Sequence, residues 1–204
     1  MRVLKPTLNL VVAAALIAAA PAIAQAAPPQ PDRPPAQAQP TDPAAHGEEV
    51  DELLSRLARP DLRHWQQIER DIIRIWSRSG SAAMDLLLRR GRTALIEGEV
   101  DAAIEHLTAL TDHAPDFAEG WFTRARAHSE AGRYGMAMAD LQRALARNPR
   151  HFGALTGVGT ILEQLGEPDQ ARAAFAAAHA IHPHQPRINA ALERLRRDVQ
   201  GQDI

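Results

Sequence analysis

Apolar and small residues in the region 84–185 recur at helical spacing, and the whole pattern then repeats at a step of 34 residues. Large apolar positions form the rows Leu87, Trp121, Leu155 and Leu107, Leu141, Phe175. Small residues form the rows Gly91, Ala125, Gly159 and Ala103, Ala137, Ala171, and a third row reads Leu110, Ala144, Ala178. A period of this length, held at several positions, predicts one two-helix unit stacked on copies of itself. The punctuation agrees. Gly98, Gly132 and Gly166 end each first helix in the left-handed conformation, and Pro115, Pro149 and Pro183 stop each second helix. Pro168 suits the first turn of the third unit's second helix, where its missing N–H costs little. Small residues sit where the paired helices cross, and larger ones fill the space between units. Each unit alone leaves an apolar face wet, so stacking is what makes it fold. The units are 84–117, 118–151 and 152–185.

Upstream, residues 47–81 predict another helix pair. Val50, Leu53, Leu54 and Leu57 mark its first helix, with Glu48, Glu49, Asp51 and Glu52 in the first turn, where the helix dipole favours acids. Pro60 stops it and Asp61 caps the next. The second carries Trp65, Ile68, Ile72, Ile75 and Trp76, runs to about Arg78, and is closed by Ser79-Gly80-Ser81. Thirty-four residues before Ala103 stands Glu69, and before Gly98 stands His64. The small-residue rule fails there, so this pair reads as a divergent half-repeat or cap covering one end of the stack. Residues 186–200 read as a polar terminal helix, with Ile188, Leu192, Leu195 and Val199 on one face and Arg187, Arg194, Arg196 and Arg197 around the rest.

The first 26 residues stand apart. Arg2 and Lys5 precede an apolar run from Leu10 to Ala20, and Ala24-Gln25-Ala26 supplies the small residues a signal peptidase needs. The run is shorter than the roughly 20 residues that span a bilayer. The expectation is a cleaved secretory signal, a periplasmic mature chain, and no membrane span after cleavage. Residues 27–46 carry seven prolines among Ala and Gln and read as a disordered tether.

The 34-residue rows resemble the tetratricopeptide repeat family over residues 84–185. The middle unit carries the match most fully, in Trp121, Ala125, Gly132, Tyr134, Ala137, Leu141, Ala144 and Pro149. Ala94, His128 and Leu162 stand where the family often has tyrosine, and Arg90 and Arg124 where it favours leucine. The resemblance implies an all-α, right-handed α-solenoid of three helix pairs whose first helices line a concave, ligand-binding side. On that side three ladders are expected to form a partner-binding strip: Arg92, Arg126, Thr160; Leu88, Phe122, Thr156; and Arg89, Thr123, Gly157. The carboxylate-clamping subtype of the family uses Lys and Asn in these ladders. Neither appears there, so that subtype is not carried over.

Composition narrows the chemistry. There is no cysteine, which removes disulfides, thiolate metal sites and Cys nucleophiles. Lys5 is the only lysine, so a phosphate loop with its Gly-Lys pair is absent from the mature chain. Without Arg2 and Lys5, 21 arginines face 25 acids, against the basic balance of a nucleic-acid binder. Gly157-Val158-Gly159 lacks a third glycine at Leu162 and lies inside a repeat helix, and no His-Glu-x-x-His or Gly-x-Ser-x-Gly occurs. His179, His182 and His184 could supply nitrogen ligands to zinc. Without a carboxylate or fourth histidine they read instead as helix-surface and helix-terminus residues. No catalytic residue, cofactor or metal is expected. The leading expectation is an exported, non-catalytic module binding a peptide or protein partner in the bacterial envelope. The alternative is an assembly factor self-associating through the solenoid ends, with the chain a monomer or weakly self-associating.

Overall fold

The computed structural model describes residues 43–202; the signal expected at 1–26 and most of the tether lie outside them. All regular structure among the described residues is helical: α1 (Pro43–Leu57), α2 (Trp65–Trp76), α3 (Ala82–Glu97), α4 (Val100–His113), α5 (Ala118–Glu130), α6 (Tyr134–Arg147), α7 (Phe152–Gln164), α8 (Pro168–Ile181) and α9 (Pro186–Gln202). Helix α1 begins at Pro43, four residues before the expected start, because proline is pre-organised for the first helical position. The last residues assigned to the tether are therefore helical. The acids from Glu48 onward fall beyond the first turn, on an exposed face.

The three units pair as α3–α4, α5–α6 and α7–α8, and each packs on the next. Their first helices end in one repeated device. Gly98, Gly132 and Gly166 have φ of 78°, 70° and 79°. The next amide then reaches back five residues: Glu99 N–H donates to Ala94 C=O, Arg133 to His128 and Glu167 to Leu162, at 2.8–2.9 Å. This satisfies carbonyls that the helix end would otherwise orphan.

The crossings are as tight as the small-residue rows require. Ala103, Ala137 and Ala171 are fully enclosed. A Cβ built on Gly91 would lie 2.5 Å from Leu107, and one on Gly159 would lie 2.9 Å from Phe175. The large residue of the partner helix thus occupies the space a side chain would need. The packing stripe of α3 runs through Leu88, Gly91 and Leu95, with Leu87 at its edge. Helix α9 closes the far end by placing Ile188, Ala191 and Leu195 on Ala171, Phe175 and Ala178. The side chain of Val199, expected on the same face, lies outside the described ones.

The first pair does not extend the stack at its α3 end. The apolar stripes of α1 and α2 face each other, and their cluster is completed by Phe152 and Ile181 of the third unit. Trp76 packs on the rings of His151 and Phe152, and Asp51 pairs with Arg150. The pair therefore lies across the turns that begin α5, α7 and α9. The reason is compositional. The stripe on α2 is bulky, with no small row to admit a close crossing, so it covers an aromatic surface instead of nesting against α3. A turn follows at residues 77–81, where Gly80 has φ 83° and Asp85 accepts from Ser79 N–H at 2.8 Å and Ser79 Oγ at 2.7 Å.

Candidate functional site

A groove of about 380 Å³ runs between α5, α7 and the start of α9. Phe122 and Arg126 of α5 form one wall, and Thr156, Gly157 and Thr160 of α7 form its floor. Gln185 and Arg187 close the opposite side. The floor is smooth because both threonine hydroxyls turn inward: Thr156 donates to Phe152 C=O (2.7 Å) and Thr160 to Thr156 C=O (2.9 Å). Gly153 is small for a specific reason, since a Cβ there would lie 2.9 Å from the tip of Phe122. Neither Arg126 nor Arg187 has an ion pair among the described residues. The site thus offers two guanidiniums, the Glu130 carboxylate, an aromatic ring and a floor that admits a backbone.

The expected strip divides when placed on this geometry. Phe122, Arg126, Thr156, Gly157 and Thr160 meet in the groove. Leu88 and Thr123 do not: Leu88 belongs to the α3–α4 core, and Thr123 is buried with its hydroxyl donating to Glu119 C=O at 2.8 Å. Successive first helices touch, so one row of each is covered by its neighbour. Arg89 is exposed on α3 and does not line the groove. Arg92 is bound rather than available, with Nη1 donating to Ser77 Oγ at 2.9 Å and Nη2 to Glu119.

That last contact opens a relay that the sequence did not announce. Glu119 is only 4 % exposed and its carboxylate also accepts from His151 Nε2 at 3.0 Å. His151 Nδ1 accepts from the Ala154 amide at 3.1 Å, which places the ring proton on Nε2. One residue from each of α3 and α5 and one at the head of α7 are thereby locked together, and Ser77 joins them to the first pair. The His151 ring packs on Phe122 at 4.4 Å, so the relay also sets the aromatic wall of the groove. Glu119, His151, Gln185 and Arg187 were absent from the expected strip because they sit at helix starts. The rows through them, Phe117, His151, Gln185 and Glu119, Gly153, Arg187, change residue type at each step, so periodicity does not mark them.

A tetratricopeptide repeat family model matches residues 88–139 and 122–186. A tetratricopeptide repeat-containing protein of Rhizobium etli is 33% identical over 151 residues, covering 72% of this chain and 74% of that protein. The chain belongs to the tetratricopeptide repeat family. Among solved structures it resembles the first such domain of Spaghetti (RPAP3) bound to an HSP90 peptide, with TM-score 0.56 and 20% identity over 59% of this chain and 95% of that one. It also resembles the Yersinia enterocolitica secretion chaperone SycD in complex with a peptide of the translocator YopD, with TM-score 0.54 and 15% identity over 58% and 95%. These likenesses establish the all-α repeat solenoid.

Two departures from the tetratricopeptide pattern have a joint explanation. Arg124, where the family favours leucine, makes two bonds of 2.8 Å to Asp140, and its Nη1 donates to Thr111 at 2.8 Å. Asp140 also accepts from Arg143 at 3.1 Å. The guanidiniums of Arg124 and Arg143 lie 4.7 and 4.8 Å from the centre of the Trp121 ring, a cation–π stack on the family's tryptophan. His128, where the family often has tyrosine, is 3 % exposed and its Nε2 lies 3.8 Å from Asp140. Burial pushes its pKa below the ordinary 6.5. Asp140 opposes that shift, while Arg124 and Arg133 reinforce it.

The sign of the pH effect follows. The unfolded chain takes up a proton at His128 as pH falls through about 6.5, while the folded chain resists it. Stability from this group is fully present above that value and is lost as pH drops toward the lower folded pKa. A urea midpoint measured from pH 7.5 to 5.5 should fall in the parent and fall less steeply in His128→Phe; parallel profiles would remove His128 as the cause.

The three histidines around the α8–α9 turn contact other parts of the fold. His179 Nδ1 lies 2.9 Å from Asn189 Oδ1, His184 Nε2 donates to Arg59 C=O at 2.7 Å, and His182 is wholly enclosed. Among the described residues no group of three or more His, Asp or Glu is placed to hold a metal ion. No helix among them is long and apolar enough to cross a membrane.

Proposed function

We propose that this protein is an exported, non-catalytic interaction module that binds an extended, carboxylate-bearing peptide segment of a partner protein in the groove between α5, α7 and α9. The observation that carries this reading is the pairing of two guanidiniums with no ion pair among the described residues, Arg126 and Arg187, against one lining carboxylate, Glu130, with the Phe122 ring over a floor of Gly157, Thr156 and Thr160. Arginine forks fit carboxylates through charge-assisted bonds, and the aromatic ring anchors an apolar neighbour. Similar solved domains hold peptides, which supports a peptide over a small molecule. Export is supported by the basic start, apolar run and Ala24-Gln25-Ala26.

Fluorescence anisotropy with a labelled octapeptide rich in glutamate, and its glutamine counterpart, tests the ligand chemistry. The acidic peptide should bind and the amide version should not. Arg126→Ala with Arg187→Ala should weaken binding by about tenfold or more, with helicity unchanged, since neither side chain is in the core. Added salt should weaken it too, because exposed charges are screened over about 8–10 Å. Equal binding of both peptides, or no loss in the double variant, would remove this groove. N-terminal sequencing of protein from a native-like host should begin at Ala27; an intact Met1-to-Ala26 segment would remove the soluble periplasmic form.

A further inference from the structure

Gln185 has two neighbours of different kinds. On one side it lines the groove beside Arg187; on the other its Nε2 donates to Glu69 of α2 at 2.9 Å. The first helix pair thus holds a groove residue without lining the groove itself. Its attachment to that turn is unevenly built. Trp65 stacks on the His184 ring, and Arg59 C=O accepts from His184. Between these contacts His182 is fully enclosed, edge-on to Trp65 at 5.2 Å and Phe152 at 5.1 Å. Both its ring nitrogens lack a hydrogen bond, with Nε2 3.4 Å from Glu69 Oε1. An enclosed imidazole without a partner weakens the contact it sits in, because its lost hydration is not offset. The pair's own apolar cluster, by contrast, draws only Phe152 and Ile181 from the repeats. Among the described residues, two of the three buried polar side-chain atoms without a hydrogen bond therefore lie at the joint between the pair and the α8–α9 turn.

We propose that Glu69 is a positioning residue for the groove: the docked α1–α2 pair holds Gln185, and with it the Arg187 wall, in the ligand-binding arrangement, so that ligand binding and docking of the pair strengthen each other. Undocking strips Phe152 and Ile181 from the pair's apolar cluster, so α2 loses protection, and it frees the turn that carries Gln185 and Arg187. A ligand that needs both residues then binds the docked state better. Linkage requires the effect to be reciprocal, so an occupied groove holds the pair down by the same factor. This inference rests on the groove being the binding site.

The test uses the full mature chain, the labelled glutamate-rich octapeptide and hydrogen exchange resolved by segment. Glu69→Ala should weaken octapeptide binding by about fivefold or more, whereas Glu69→Gln, which keeps a carbonyl acceptor for Gln185, should bind nearly as the parent does. Saturating octapeptide should slow exchange across α2 in the parent by a similar factor and leave α4, which does not line the groove, unchanged. Parent-like binding by Glu69→Ala, or α2 exchange that ignores the octapeptide, overturns the coupling. Equal loss in Glu69→Ala and Glu69→Gln overturns the role of the acceptor. If the parent does not bind the octapeptide, the acidic-groove reading fails separately, and exchange alone then judges the positioning role. Glu69→Ala must speed exchange at the start of α9, where Asn189 N–H donates to Gln185 C=O (3.2 Å), by about fivefold relative to α4–α6. Unchanged exchange there overturns it.

Discussion

Replacing Asp140 by alanine should lower the unfolding free energy by about 3–5 kcal/mol, because removing one partner of a buried ion pair leaves the other charge uncompensated. Asp140 is 2 % exposed, and the side chain of Arg124 that it receives bidentately is 12 % exposed. The charge left behind cannot turn to water without breaking its stack on Trp121 and its bond to Thr111. The loss would be a large part of the roughly 5–15 kcal/mol that stabilises an ordinary domain. It should appear as a lower denaturant midpoint, with protection falling in α5 and α6 together. Arg124→Leu combined with Asp140→Ala removes both charges and restores the family's leucine, so it should recover much of the loss. A single Asp140→Ala variant as stable as the parent would mean that the pair is solvated in solution.

Phe175→Ala should cost about 3–5 kcal/mol and loosen the far end of the solenoid in particular. The ring fills the space left by Gly159 and shares a cluster with Ala171, Ala178, Ile188, Ala191 and Leu195. Its removal leaves a cavity that small neighbours cannot fill, and the glycine opposite adds nothing to close it. Hydrogen exchange in α7, α8 and α9 should quicken well before α3 and α4 respond, since repeat stability is set by neighbours. Ile96→Ala is the matched control: Ile96 is 86 % exposed, so its loss should stay within about 0.5 kcal/mol. Similar costs for the two variants would contradict the packing described for the third unit.

The middle repeat shows why the sequence spoke so clearly about fold. Gly132, Ala137 and Pro149 each satisfy a local requirement, a left-handed cap, a close crossing and a helix stop, and each requirement repeats at every unit. Periodic constraints of that kind are readable along the chain, because the same spatial relation recurs at the same sequence step. The groove was readable only in part. Phe122, Arg126, Thr156 and Thr160 lie where the ladders put them, but Leu88 and Thr123 were assigned to the surface and are buried. Facing is set by which neighbour covers a row, and a ladder does not carry that information.

What the sequence determined by itself is the stacked helical unit: its period, its caps and its small-residue crossings, all of which arise from contacts a few residues or one repeat apart. Tertiary structure alone decided where α1–α2 dock, that Arg92 is consumed by Glu119, and that Arg187 and Gln185 complete the groove. Those contacts join residues that no repeat relates, such as Arg59 with His184 and Glu69 with Gln185. Such partners are chosen by shape, charge and burial once the chain has closed on itself.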